Sequence, residues 1–71
     1  MSKPVYHLEH SRYPRVYRFE VGPSEVIVER WEGPSRVSVR NLSIPDARRL
    51  YGYLRSKAGY REFGFSTVLH D

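Results

Sequence analysis

The apolar residues of this chain keep two different periods, and the change between them constrains the fold more than any other feature. Between Arg15 and Arg40 they recur mostly at every second residue; between Ala47 and Ala58 they fall on one face at helical spacing. A period of two marks a strand with one covered face, and a period near 3.6 marks an amphipathic helix. Arg15-Val16-Tyr17-Arg18-Phe19-Glu20-Val21 alternates, with Tyr17, Phe19 and Val21 on one face and Arg18 and Glu20 on the other. Glu25-Val26-Ile27-Val28-Glu29-Arg30-Trp31 is rich in β-branched residues and reads as a second strand. Arg36-Val37-Ser38-Val39-Arg40 reads as a third, its valines pointing one way and Ser38 and Arg40 the other. Gly22-Pro23-Ser24 and Gly33-Pro34-Ser35 break these runs at hairpin spacing. Neither opens a helix, so neither reads as a phosphate cradle.

The helical stretch has its own start and stop. Ser43 is placed to cap, Pro45 falls in the first turn, and Asp46 sits near the positive dipole end. Ala47, Leu50, Tyr51, Leu54 and Ala58 then share one face. Arg55 and Lys57 suit the negative end, and Gly59 suits the exit. Beyond it, Glu62 to Leu69 alternates again, with Phe63, Phe65, Thr67 and Leu69 on one face and Gly64 at a bulge or close approach. Residues 1–12 are weakly patterned. Val5-Tyr6-His7-Leu8 is expected to be a loose arm or a short edge strand, because Pro4 argues against a central one. The expected architecture is therefore α+β: an antiparallel β-β-β-α-β sheet, with or without an extra N-terminal strand, and one amphipathic helix packed on one face. Residues 13–71 are expected to form a single small domain.

With 71 residues there is little room for both a core and a deep catalytic cleft. The chain has no cysteine, which excludes a disulfide scaffold and a thiolate metal site and points to a reducing cytoplasm. No apolar run approaches the roughly 18 residues of a membrane span, and Met1 to His7 lacks a signal-peptide core. The net charge of +4 lies wholly in residues 36–71, where seven basic residues meet three acidic ones. Most of the cations are arginine, whose planar fork suits phosphates and carboxylates alike.

Constellations for catalysis are missing. No serine sits in a Gly-x-Ser-x-Gly elbow, and no Walker-type or dinucleotide-type glycine pattern occurs. Glu25, Glu29 and Glu32 are close in sequence but belong to a charged hairpin. His7 and His10 have a spacing that can chelate a metal on a helix, but their segment shows no helical face, and His70 is remote in sequence. The chain is expected to be a non-enzyme without metal or cofactor. The residues that stand out are those for surface recognition. Arg48, Arg49, Tyr53, Arg55 and Lys57 lie off the apolar helix stripe, beside Gly52 and Ser56, and a mixture of Tyr and Arg is typical of interface anchors. Arg18 and Arg40 are expected on the outer sheet face with Ser38, and Trp31 at the hairpin end is either core or an exposed anchor.

The alternating basic meander followed by one helix, from about Tyr13 to Ala58, resembles in topology one repeat of the PUR and PC4-like single-stranded nucleic-acid binders. The chain as a whole is similar to small phage-encoded transcription regulators that bind host bacterial RNA polymerase, of the Xanthomonas phage type. The resemblance is carried by its small cysteine-free Arg-rich character, by Met1-Ser2-Lys3-Pro4-Val5-Tyr6-His7-Leu8 at one end and by Val68-Leu69-His70-Asp71 at the other. It implies a monomeric inhibitor of initiation that binds polymerase subunits in the host cytoplasm and displaces or weakens sigma factor. It carries over no binding residues. The alternative is direct binding of single-stranded DNA or RNA through the basic helix and sheet surface. Glu9, Glu20, Glu25, Glu29 and Glu32 among the strands would repel a phosphate backbone, which favours a protein partner.

Overall fold

The computed structural model describes residues 4–62. Among them the elements run β1 (Val5–His10), β2 (Arg15–Val21), β3 (Glu25–Glu32), β4 (Ser35–Ser43), α1 (Ile44–Ser56) and β5 (Tyr60–Glu62). The strands form one antiparallel sheet in the order β4-β3-β2-β1-β5. This is the expected α+β architecture with the extra N-terminal strand present. The final strand begins two residues earlier than its alternation suggests, at Tyr60; Phe63, Phe65, Thr67 and Leu69 lie outside the described residues.

The N-terminal segment departs from the expected arm or edge strand. β1 pairs with β2 on one side and with β5 on the other, and Leu8 is fully buried. Pro4 does not oppose this, because it stands just before the strand. Its missing N–H is outside the ladder, and its carbonyl accepts a hydrogen bond from the Val21 amide at 2.9 Å. The weak pattern of β1 comes from its outward-facing positions, His7 and Glu9, and from His10 at its end.

The turns follow from local chemistry. Only Gly33 and Pro34 separate β3 from β4, and Gly33 has φ +61°. A two-residue hairpin needs that conformation at its first position to match strand twist, and glycine adopts it without strain. At the other end, Ser43 is extended and its hydroxyl accepts a hydrogen bond from the Asp46 amide at 3.2 Å, so it caps α1 as its position suggests. The helix stops after Ser56, where the Lys57 and Ala58 amides both donate to the Tyr53 carbonyl. Gly59, at φ +84°, then turns the chain into β5.

The core lies between α1 and one face of the sheet. Leu8, Phe19, Val26, Val28, Ala47, Leu54 and Tyr60 are buried, and Leu50, Tyr51 and Ala58 pack against them half-buried. The helix stripe is thus the expected one, with Ala47 and Leu54 at its centre. Tyr51 meets Phe19 edge-to-face with ring centres 5.2 Å apart, and Tyr17 meets Tyr60 at 5.1 Å. Such pairs add stability beyond their buried area.

Candidate functional site

The exposed arc of α1 and its cap carries four cations against one carboxylate. Arg48, Arg49, Gly52, Tyr53, Arg55, Ser56 and Lys57 are all exposed, and the only carboxylate in this stretch is Asp46. The periodicity places them there, because every fourth or third residue between them is committed to the core. They are not equivalent. Arg49 pairs with Asp46 one turn back. Arg55 lies 4.0 Å from a Glu62 carboxylate oxygen and 6.0 Å from the centre of the Tyr51 ring. Arg48 and Lys57 have no ion pair among the described residues. Tyr53 is 57% exposed on the same helix.

The open face of the sheet is built differently. Register places Val5, His7, Glu9, Val16, Arg18, Glu20, Ile27, Glu29 and Trp31 on it, away from the helix. Its cations are paired: Arg18 with Glu20 at 2.9 Å, Arg36 with Glu29 at 3.5 Å, and Arg61 with Glu9 at 3.3 Å. Trp31 is half-buried, and its indole N–H donates to Glu29 at 3.0 Å. It lines a shallow depression on the open face with His7, Arg18 and Arg36, rather than the core. Burial and the neighbouring Arg18 guanidinium both hold the His7 imidazole below its ordinary pKa, burial being the larger cause.

Arg40 does not share this face, contrary to the expectation that grouped it with Arg18. It stands opposite Val28, whose side chain is buried under the helix, so Arg40 and Ser38 are on the helix side of β4. Val37 and Val39 are on the open side instead, 44% and 49% exposed. Alternation separates two sets of residues but does not say which set is covered. Here β4 is an edge strand, and most of its length lies beyond the footprint of a thirteen-residue helix. Nothing then compels its valines inward. The register slips by one residue between Arg30 and Trp31, where Arg36 and Val37 together face Trp31. Of the residues singled out from the sequence, Arg48, Arg49, Tyr53, Arg55 and Lys57 are all exposed along a wide arc of α1 and its cap. Arg18 and Trp31 share the open sheet face, and Arg40 belongs to neither group.

Two positions were not legible beforehand. Glu29 anchors both Trp31 and Arg36, and Glu62 receives the Tyr51 hydroxyl as well as Arg55. Burial, the hydrogen bond and the charge of Glu62 all push the Tyr51 phenol above its ordinary range, burial most of all. Arg36, Tyr51 and Arg55 stand on different elements from the carboxylates they meet, so no spacing announces those pairs, whereas Glu29 and Trp31 are neighbours on one face of β3. His7 and His10 lie on opposite faces of β1, as an odd separation in a strand requires. His10 uses its Nδ1 to accept the Arg12 and Tyr13 amides at 2.9 and 3.3 Å. Among the described residues no three His, Asp or Glu side chains cluster as metal ligands, and no helix is long and apolar enough to cross a membrane.

Comparison with protein-family models, with curated proteins and with solved structures finds no match to this chain.

Proposed function

We propose that this protein is a non-catalytic transcription regulator that docks on host bacterial RNA polymerase through the outer face of α1 and inhibits initiation. One observation carries the docking surface: four cations against one carboxylate along α1 and its cap, with Arg48 and Lys57 unpaired among the described residues and Tyr53 exposed on the same helix. Such a face is steered toward an acidic protein surface, and a few Arg and Tyr anchors supply most of the affinity. The whole-chain likeness to small phage regulators supplies the identity of the partner and the weakening of sigma factor as the means.

Direct binding of single-stranded nucleic acid is the competing outcome. It is disfavoured because the sheet face that would stack bases has its arginines neutralised by Glu9, Glu20 and Glu29. The immobilised chain is incubated with bacterial lysate, with and without nuclease, and captured subunits are identified by mass spectrometry. Polymerase retained after nuclease is the expected result, and purified polymerase should then bind with an affinity that Arg48→Ala with Arg49→Ala weakens about tenfold or more, or about 1.4 kcal/mol. Capture lost on nuclease treatment moves the reading to nucleic acid. Undiminished polymerase binding by the folded double variant removes the helix face from the interface.

A further inference from the structure

α1 enters from the β4 edge, where Ser43 pairs with Glu25, and leaves at the opposite edge, where Tyr60 pairs with His10. Thirteen helical residues span about 20 Å. Five strands side by side span about 19 Å, each several residues long. One helix laid corner to corner cannot cover that area. The corner left open is a groove of about 330 Å³, floored by Tyr6 and Val21 above the buried Phe19 and walled by Arg48, Tyr51 and Gly52.

Three features of this groove bear on what it could hold. First, Arg48 stands at its wall without an ion pair among the described residues, although the neighbouring Arg49 and Arg55 each have one. Second, Gly52 sits inside a helix, where glycine is less favourable than alanine. It has no positive φ, and a Cβ built on it meets nothing within 4 Å. Neither backbone conformation nor packing requires glycine at this place, whereas a bare backbone keeps the wall low for something outside. Third, the wall is held in place before anything binds. The Tyr51 hydroxyl is tied to Glu62, and its ring is packed edge-to-face with Phe19 and with Tyr6 at 5.7 Å.

We infer that the groove receives an aromatic or large aliphatic side chain of the partner protein, while a carboxylate adjacent to that side chain pairs with Arg48. The inference rests on the reading of a protein partner given above and names the chemistry of the segment recognised. One uncompensated cation beside an apolar floor matches one carboxylate beside one apolar group. A phosphate backbone would need a row of cations along its track. The volume lies near the lower end of the roughly 300–1,000 Å³ usual for binding pockets, which suits a single ring or branched chain.

The test needs no polymerase. The ¹⁵N-labelled full chain is titrated with 3-phenylpropionate, and separately with 3-phenylpropylamine, while amide shifts are followed. The expected result is saturable shifts centred on Tyr6, Arg48 and Gly52 with the acid, and binding about tenfold weaker or more with the amine. Arg48→Gln should erase the difference between the two. Gly52→Ala should raise the melting temperature and weaken the acid at least about threefold, opposite signs that a purely structural glycine would not produce. No saturable shift, shifts centred on Trp31 and Arg18, or acid binding indifferent to Arg48→Gln would each overturn the groove. So would contacts in the free protein from its own Phe63 or Phe65 to Tyr6, which would make the occupant intramolecular. Capture of polymerase without probe binding removes the groove and leaves the proposed function; probe binding without polymerase capture does the reverse.

Discussion

Leu8→Ala separates a core N-terminal strand from an accessory arm. Leu8 is 0% exposed, on a strand hydrogen-bonded along both sides, and lies directly across from Tyr17 and Glu62. The substitution removes three buried carbons, worth about 2.4 kcal/mol at about 0.8 kcal/mol each. The cavity left behind adds to this, bringing the cost into the range of about 2.7–5 kcal/mol. A domain of this size has a total stability of roughly 4–10 kcal/mol, at about 0.05–0.15 kcal/mol per residue. One side chain from the first dozen residues thus carries about a quarter or more of it. At about 4–8 °C per kcal/mol, the melting temperature should fall by roughly 11 °C or more. Thermal melts followed by circular dichroism, checked by urea titration, measure it. Val39→Ala on the exposed side of β4 is the control and should change the melt by less than about 4 °C, since surface substitutions are usually small. An equally small change for Leu8→Ala would refute the placement of β1 in the core.

Leu54→Ala should cost about 2–5 kcal/mol in urea unfolding and Leu50→Ala clearly less, because Leu54 is buried while Leu50 is half-buried; equal costs would mean that the helix is rotated from its observed face. Gly59→Ala should destabilise the domain by about 1–2 kcal/mol, since φ is +84° and a Cβ would lie 3.3 Å from the His10 Nε2; an unchanged denaturant midpoint would count against the observed turn. The raised Tyr51 pKa means that in alkali the unfolded chain loses this proton first. Stability from Tyr51 is therefore complete below about pH 10 and declines as pH rises beyond it, and Tyr51→Phe should flatten that decline in urea titrations run at several alkaline pH values. His7 works in the opposite direction: its depressed pKa gives stability that is present above about pH 6.5 and is lost as pH falls, which His7→Gln should remove from the acid limb of the same titrations.

Much of this protein is local. The alternation of Tyr17, Phe19 and Val21, the two Gly-Pro-Ser breaks and the change of period after Ser43 name the strands, the turns and the helix, because each depends on neighbours within a few residues. The outer helix face follows in the same way: once Ala47, Leu50, Tyr51 and Leu54 turn inward, Arg48, Arg49, Tyr53, Arg55 and Lys57 are left on the exposed arc. Pairing between distant segments decided the rest. β1 became an interior strand because β5 returned to its free side, which no property of residues 5–10 requires. Arg40 and the valines of β4 exchanged faces because a two-fold alternation is symmetric until a register with β3 and the reach of one short helix break the symmetry. The groove beside Arg48 and Gly52 exists for the same reason. It is the part of a five-stranded sheet that thirteen helical residues are too few to cover, and only the direction in which they cross it sets which residues stay open.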